Sequence, residues 1–297
     1  MKILITGANG FLGQHLTLFL AEKGYQINAC SRGNCRIPQK FPFEYYSLEL
    51  TDEKAVSEFV DLLAPDIIIH TAANSKPDDC HVNREACLQQ NVEVTKYLVK
   101  ALLNKSANGR FIYVSTDFIF GENGPHSEDD ATGPLNFYGE SKLMAEQFVR
   151  QSGLSYAIVR PVFIYGPVWE GLRGSFLHWV KNNLEQGKPI KVVSDQVRTP
   201  TFVTDICKGI EAIIVKKQEG AFHLAGKDLV SPYEMAIETA SFLNLNAALI
   251  GNVTSDSFKE AVQRAKRSGL KIDKARNLLQ YEPVNLKKGV ELTFNNH

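Results

Sequence analysis

The chain has 297 residues, 44% of them hydrophobic, and its 33 Lys plus Arg balance 33 Asp plus Glu to a formal charge of zero. That length suits one large domain or two intimate ones, and the charge balance supplies no field to recruit nucleic acid or an anionic membrane. No apolar window approaches the ~18 residues of a membrane span. The run before Gly7 is too short for a signal peptide, so a cytoplasmic protein is expected. The five cysteines (Cys30, Cys35, Cys80, Cys87 and Cys207) are odd in number and no two are spaced Cys-x-x-Cys, which predicts reduced thiols.

In chain order, residues 3–6 predict a strand and 11–23, apolar at Leu12, Leu16, Phe19 and Leu20, a helix. Residues 26–30 read as a second strand, and Asp52 as the cap of a helix running to Leu63. Residues 66–70 are apolar without alternation, as in a strand covered on both faces. Next come a long helix over 82–105, a strand over 111–115, a helix over 137–151 and a strand over 156–160. Strands alternating with helices predict an α/β fold with a doubly wound parallel sheet, because parallel neighbours need a crossover helix. Beyond Pro161 helices are expected over 174–186, 203–217, 232–243 and 255–266. They predict a smaller mixed α/β domain over 166–297, interleaved with the first domain (1–165) through the helix at 203–217. Residues 121–134 form a long loop whose Glu128-Asp129-Asp130 reads as a solvated face.

Gly7-Ala8-Asn9-Gly10-Phe11-Leu12-Gly13 follows the first strand and opens the first helix. Its G-x-x-G-x-x-G spacing is one residue longer at the front than the dinucleotide fingerprint, and the physics is the same. Gly7 permits a tight turn, Gly10 lets backbone approach a pyrophosphate at the helix N-terminus, and Gly13 lets the helix pack on the sheet. The second strand ends Ala29-Cys30-Ser31-Arg32, without the carboxylate that would hold ribose hydroxyls. Ser31 and Arg32 suit a 2′-phosphate, with Arg36 a rival for the same role, so NADP is expected, with NAD as the alternative.

Tyr138 and Lys142 stand at i and i+4, on one helix face. An ammonium beside a phenol is expected to lower it from its usual value near 10, so that Tyr138 can pass a proton to a carbonyl oxygen while hydride reaches the carbon. Thr116, at the end of a strand facing the same crevice, is placed to hydrogen-bond that oxygen.

These residues resemble the marks of the extended short-chain dehydrogenase/reductases over essentially the whole chain, and most of all the dTDP-4-dehydrorhamnose reductases with their sugar-nucleotide-binding relatives. The shared marks are the glycine turn, Thr71-Ala72-Ala73, Thr116, Tyr138 and Lys142. More specific are Val114-Ser115-Thr116-Asp117-Phe118-Ile119-Phe120, Pro134-Leu135-Asn136-Phe137-Tyr138-Gly139, Ser194-Asp195-Gln196 with Pro200-Thr201, and Arg264, Ser268, Leu270 and Lys274. The resemblance implies a seven-stranded Rossmann sheet and a C-terminal sugar-nucleotide domain. It also implies Thr116, Tyr138 and Lys142 as catalytic residues, with Lys142 holding the nicotinamide ribose. Gly7, Asn9, Gly10, Phe11, Leu12, Gly13, Ser31, Arg32, Thr71, Ala72, Ala73 and Pro161 would join Tyr138 and Lys142 around NADPH. Asp117, Phe118, Phe163, Arg198 and Arg264 would meet the sugar nucleotide, and a homodimer is the family's usual assembly.

Departures from the family pattern fall at Phe118, Phe163, Arg198 and Arg267, where the family meets sugar or nucleotide, so they bear on which sugar is bound. His15 replaces a glutamate that some members link to magnesium, so no magnesium requirement is expected. His81, His126, His178 and His223 are scattered, which predicts no metal site, and His70 reads as a core histidine. Arg198 and Arg264 are candidates for a diphosphate or, equally, for surface ion pairs. Three functions fit: NADPH-dependent reduction of the 4-keto group of a nucleotide-diphosphate deoxysugar, an NAD-dependent sugar-nucleotide 4-epimerase using the same trio, and a non-enzymatic NADP-binding regulatory subunit.

Overall fold

The computed structural model describes residues 1–106, 108–169, 172, 174–258 and 261–295. Strands β1 (Lys2–Thr6), β2 (Gln26–Ser31), β3 (Glu44–Ser47), β4 (Ile67–His70), β5 (Arg110–Val114), β6 (Ser155–Arg160) and β8 (Gly220–His223) form one parallel sheet in the order β3-β2-β1-β4-β5-β6-β8. The apolar runs become central strands because helices cover both faces. Ile3 and Ile5 of β1 pack with Leu16 and Leu20 of α1 (Phe11–Glu22) and with Ile206, Ile210 and Ile213 of α8 (Val203–Val215). Leu4 and Ile68 face the other way, toward Val56 and Val60 of α2 (Glu53–Leu63), Leu98 of α5 (Val94–Lys105) and Ala145 of α6 (Phe137–Arg150). Alternate residues of each strand therefore feed two cores, and neither face keeps a polar pattern. His70 is a core histidine. It is buried and its Nδ1 lies 2.7 Å from Thr6 Oγ1, its register partner on β1.

The second unit is built on two parallel strands, β7 (Ile190–Val193) and β9 (Ile250–Val253), covered by α7 (Phe176–Glu185) and α9 (Pro232–Phe242) through Val180, Leu184, Ala236 and Ala240. Ser231 and Glu234 form a capping box at the start of α9. Two further helices, α10 (Asp273–Leu279) and α11 (Leu286–Phe294), follow. The large sheet takes β8 from beyond residue 165, so the chain crosses between the two units more than once.

Two expected helices differ. The span 82–105 divides at Asn83, which ends α3 (Pro77–Val82) and caps α4 (Arg84–Leu88) by accepting from the Ala86 N–H at 2.9 Å. A π turn, Gln89–Glu93, then leads into α5. Asn91 in that turn directs its carboxamide at the chain near Asn74, accepting from the Asn74 N–H at 2.8 Å. The span 255–266 holds only a 3-10 turn at Ser255–Ser257 and no helix over 261–266; residues 259 and 260 lie outside the described residues. Asp195 captures the Ser255 N–H (2.7 Å) and hydroxyl (2.8 Å), tying this segment to the end of β7.

The 121–134 loop is anchored rather than solvated throughout. Glu128 turns inward and accepts from the His223 N–H at 2.9 Å, and its carbonyl accepts from Arg160 Nη1 at 3.3 Å. Arg160, at the end of β6, is almost wholly buried and paired twice with equally buried Glu146 of α6, Nε to Oε1 at 3.0 Å and Nη2 to Oε2 at 2.7 Å. Removing one partner of such a pair strands a charge in the core. Glu146→Ala is expected to cost about 3–5 kcal/mol, read as a lowered urea midpoint; a midpoint within experimental error of the wild type would contradict this.

Candidate active site

The order of the large sheet reverses between β1 and β4, and a cavity of about 880 Å³ opens at the C-terminal ends of the strands there. Its wall gathers all of the residues expected from the sequence. Gly7, Asn9, Gly10, Phe11, Leu12 and Gly13 come from the turn into α1, Ser31 and Arg32 from the end of β2, and Thr71, Ala72 and Ala73 from the segment after β4. Thr116, Asp117 and Phe118 follow β5, Tyr138 and Lys142 lie on α6, Pro161 and Phe163 follow β6, and Arg198 and Arg264 close the far end.

At the near end the glycine turn is set by close packing. Gly7 has φ +72°, and a Cβ there would sit 2.5 Å from the Ala72 nitrogen. A Cβ on Gly13 would run into the carbonyl of Gly7. Gly10 caps α1 with no side-chain hydrogen bond, leaving the first-turn N–H groups of the helix to face the cavity. Asn9 acts one layer back. Its Nδ2 donates to the carbonyls of Arg32 (3.2 Å) and Asn34 (2.9 Å) and to the Tyr45 hydroxyl (2.8 Å), and its Oδ1 accepts from the Arg36 N–H at 3.0 Å. Asn9 thereby shapes the turn that presents Arg32. A carboxylate also stands at this end: Glu49, just past β3, is 3.9 Å from Arg32. Glu49 follows the neighbouring strand rather than the second, and that strand, Glu44 with two half-buried tyrosines and a serine, carries no clear strand signal in the sequence.

The reacting groups meet where β5 ends. Thr116 caps a 3-10 turn, Asp117–Ile119, accepting from the Phe118 N–H at 3.3 Å, and hydrogen-bonds Tyr138. Lys142 is buried, donates to the Val114 carbonyl at 2.8 Å and lies 4.2 Å from the centre of the Tyr113 ring. Burial lowers Lys142 from its ordinary 10.5 to about 7. The expectation that Lys142 would pull the Tyr138 phenol down is corrected here. Burial pushes that phenol well above 10, Thr116 opposes it and Asp117 adds to the rise. Desolvation is the largest cause and outweighs the hydrogen bond from Thr116. The result is a phenol that keeps its proton at neutral pH, beside a hydroxyl donor and a lysine that titrates near neutrality.

Toward the far end, Phe118 meets Tyr138 edge-on with ring centres 5.5 Å apart. Asp117 is buried, which raises its carboxyl, while Arg198 and Thr116 draw it back down. Arg198 lies 5.3 Å from the centre of the Phe163 ring and donates to Gln196 at 2.8 Å. Phe163 holds φ +39°, unusual for a residue with a side chain. Arg264 pairs with Asp78 at 2.8 Å while its side chain also borders the cavity. His15 is turned to the Pro167 carbonyl at 3.0 Å, its ring lies tilted against Trp169 with centres 4.5 Å apart, and burial lowers it to about 4. No cluster of three metal-ligating side chains occurs among the described residues, and no helix among them is long and apolar enough to cross a membrane.

A doubly wound parallel sheet with a glycine turn at its switch point, and a Thr, Tyr and Lys at the end of β5 and on α6, defines an extended short-chain dehydrogenase/reductase. The family model for the RmlD substrate binding domain matches residues 1–297, and the chain belongs to that family. Methionine adenosyltransferase 2 subunit beta of Rattus norvegicus is 31% identical over 285 residues, covering 93% of this chain and 82% of the relative. The spore coat polysaccharide biosynthesis protein SpsK of Bacillus subtilis (strain 168) is 26% identical over 271 residues, covering 91% and 88%. The crystal structure of dTDP-4-dehydrorhamnose reductase (rfbD) from Bacillus anthracis str. Ames, in complex with NADP, superposes with a TM-score of 0.88 at 26% identity, covering 100% of this chain and 99% of the other.

Lys142 makes stability depend on pH with a definite sign. Below about pH 7 it is charged in both the folded and the unfolded chain, and the full cost of burying the ammonium is present. Between about 7 and 10.5 the unfolded chain keeps a proton that the folded one has released, so stability rises with pH. Relative to Lys142→Met, the wild type should gain of order 1 kcal/mol per pH unit across that window, measured as urea unfolding at several pH values. A difference that stays constant with pH would contradict the assignment.

Proposed function

We propose that this protein reduces the 4-keto group of a nucleotide-diphosphate deoxysugar with NADPH. The observation that carries this reading is the single cavity that holds Thr116, Tyr138 and Lys142 beside the open N-terminus of α1. The donors at the near end fit a dinucleotide phosphate. An uncapped helix start takes the pyrophosphate, and Arg32 with Ser31 takes the 2′-phosphate. Residues 1–165 would carry these contacts, and Asp117, Phe118 and Phe163 among them would join Arg198 and Arg264 of 166–297 around the sugar nucleotide.

Held in this cleft, NADPH would supply the hydride for the carbonyl carbon. Tyr138, still protonated at neutral pH, gives its proton to the carbonyl oxygen as negative charge builds there. Thr116 donates a hydrogen bond to the same oxygen. Lys142, as ammonium, steadies the phenolate that Tyr138 becomes and holds the cofactor's ribose. Arg198 and Arg264 pair with the substrate diphosphate, and Asp117, Phe118 and Phe163 surround the sugar. The likeness to the NADP-bound reductase supports this assignment. A 4-epimerase using the same trio would first oxidise its substrate, with Tyr138 taking the hydroxyl proton rather than giving one. All five cysteines are free thiols, in keeping with work in the reducing cytoplasm.

A second reading is favoured by one finding: the 31% identity to a methionine adenosyltransferase subunit, which fits a protein that binds NADP without turning it over. The experiment that separates the two is NADPH oxidation with a dTDP-4-keto-6-deoxy sugar. The wild type should turn over, and Tyr138→Phe should lose about 10²–10⁴-fold in kcat while retaining NADPH affinity. Tight NADPH binding with no turnover by the wild type would overturn the reductase and favour the binding subunit.

A further inference from the structure

Two thiols stand directly behind Tyr138, and the mechanism above uses neither. Cys80 on α3 and Cys87 on α4 are fully buried and share one small cluster with Tyr138, against which Phe118 and Phe137 pack. Asn83 ends the first of these short helices and begins the second, and the bend brings the two sulfurs into hydrogen-bond contact. Cys80 Sγ also lies 3.6 Å from the Asn74 carbonyl oxygen, an alternative acceptor for its one proton. Cys87 Sγ accepts from Asn91 Nδ2 at 3.4 Å and lies 3.4 Å from Ser141 Oγ. The contact splits the pair: the hydrogen bond from Cys80 holds Cys87 below the ordinary thiol range, and Cys80 is pushed above it. A thiolate-forming sulfur with a protonated thiol against it has the attacking and resolving arrangement of a redox pair.

We infer that Cys80 and Cys87 form a reversible intramolecular disulfide that disables the site in front of them. The oxidant is hydrogen peroxide, a molecule of water-like size. The Cys87 thiolate attacks one peroxide oxygen, the O–O bond breaks, and Cys87 becomes a sulfenic acid with release of hydroxide. The Cys80 sulfur gives up its proton, attacks the Cys87 sulfur and displaces the second hydroxide. In sum, two thiols and one hydrogen peroxide yield one disulfide and two waters, the sulfurs losing two electrons and the peroxide gaining them.

The site is coupled to this chemistry by contact. Drawing the sulfurs from hydrogen-bond contact into a bond pulls α3 against α4, and α3 carries Pro77 of the cavity wall and Asp78, the partner of Arg264. It also turns Cys87 away from Ser141, whose hydroxyl donates to the Tyr138 carbonyl at 2.7 Å. The expected loss of turnover rests on the reductase reading; the disulfide itself does not.

The two parts are tested separately on the full chain. Trypsin cleaves after Arg84, which puts Cys80 and Cys87 on different peptides. After hydrogen peroxide and alkylation without reductant, mass spectrometry should find those peptides linked, short of two hydrogens and released by dithiothreitol. Recovery of both cysteines singly alkylated, or of either as a sulfinic acid with no linked pair, would overturn the disulfide whatever the protein catalyses. In the NADPH assay, peroxide should lower wild-type kcat by about tenfold or more, and dithiothreitol should restore it. Cys80→Ala and Cys87→Ala should show no dithiothreitol-reversible loss. A linked pair with unchanged kcat would overturn the effect on the site.

Discussion

The site depends on the tight packing between the turn that starts α1 and the segment that leaves β4. Gly7, with a left-handed φ, presses on Ala72, and Gly13 presses on the carbonyl of Gly7, so neither position has room for a side chain. Only when β1 and β4 are neighbours can that contact form, and their adjacency is where the strand order reverses. The helix start is thereby held over a crevice rather than over the sheet, with its N–H groups unclaimed by any cap side chain. The cavity and the placement of the reacting groups across it follow from this packing.

The same double covering of the sheet sets the electrostatics. Tyr138 and Lys142 sit on the inner face of α6 because α6 packs on strands that leave no polar surface. Burial then acts on both in the direction of neutrality, raising the phenol and lowering the ammonium. Proximity at i and i+4 alone suggests mutual stabilisation of the charged forms. With both groups out of water, the cost of desolvation decides instead. A phenol held protonated has a proton to give to a carbonyl oxygen, at the cost of being a weaker acid than a free tyrosine.

What could be read directly from the residues was what depends on short-range pattern. Ile67–Ile69 could be recognised as a buried strand because no polar residue interrupts it, and the glycine turn because its spacing and its place between strand and helix belong together. Strands such as β3, with Glu44 at its head and two half-buried tyrosines, and β8, four residues starting with glycine, gain their strand character from partners distant in sequence. Glu49 stayed hidden for the same reason. The expected helix over 255–266 has suitable local composition, yet Asp195 claims the donors of Ser255 from sixty residues away. The break at Asn83 is a local signal, a capping side chain within an otherwise helical stretch, and it brings Cys80 back onto Cys87.

The proposed reaction is hydride delivery in this cleft to a sugar carbonyl, with Tyr138 giving the proton. The most direct test follows the hydrogen itself: a single turnover with NADPH deuterated at the transferring position of the nicotinamide and a dTDP-4-keto-6-deoxy sugar, with the product examined by nuclear magnetic resonance. Reduction in this cleft should place one deuterium at C4 of a 4-hydroxy sugar. Unconsumed deuterated NADPH bound to the protein, with the keto sugar unchanged, would contradict it.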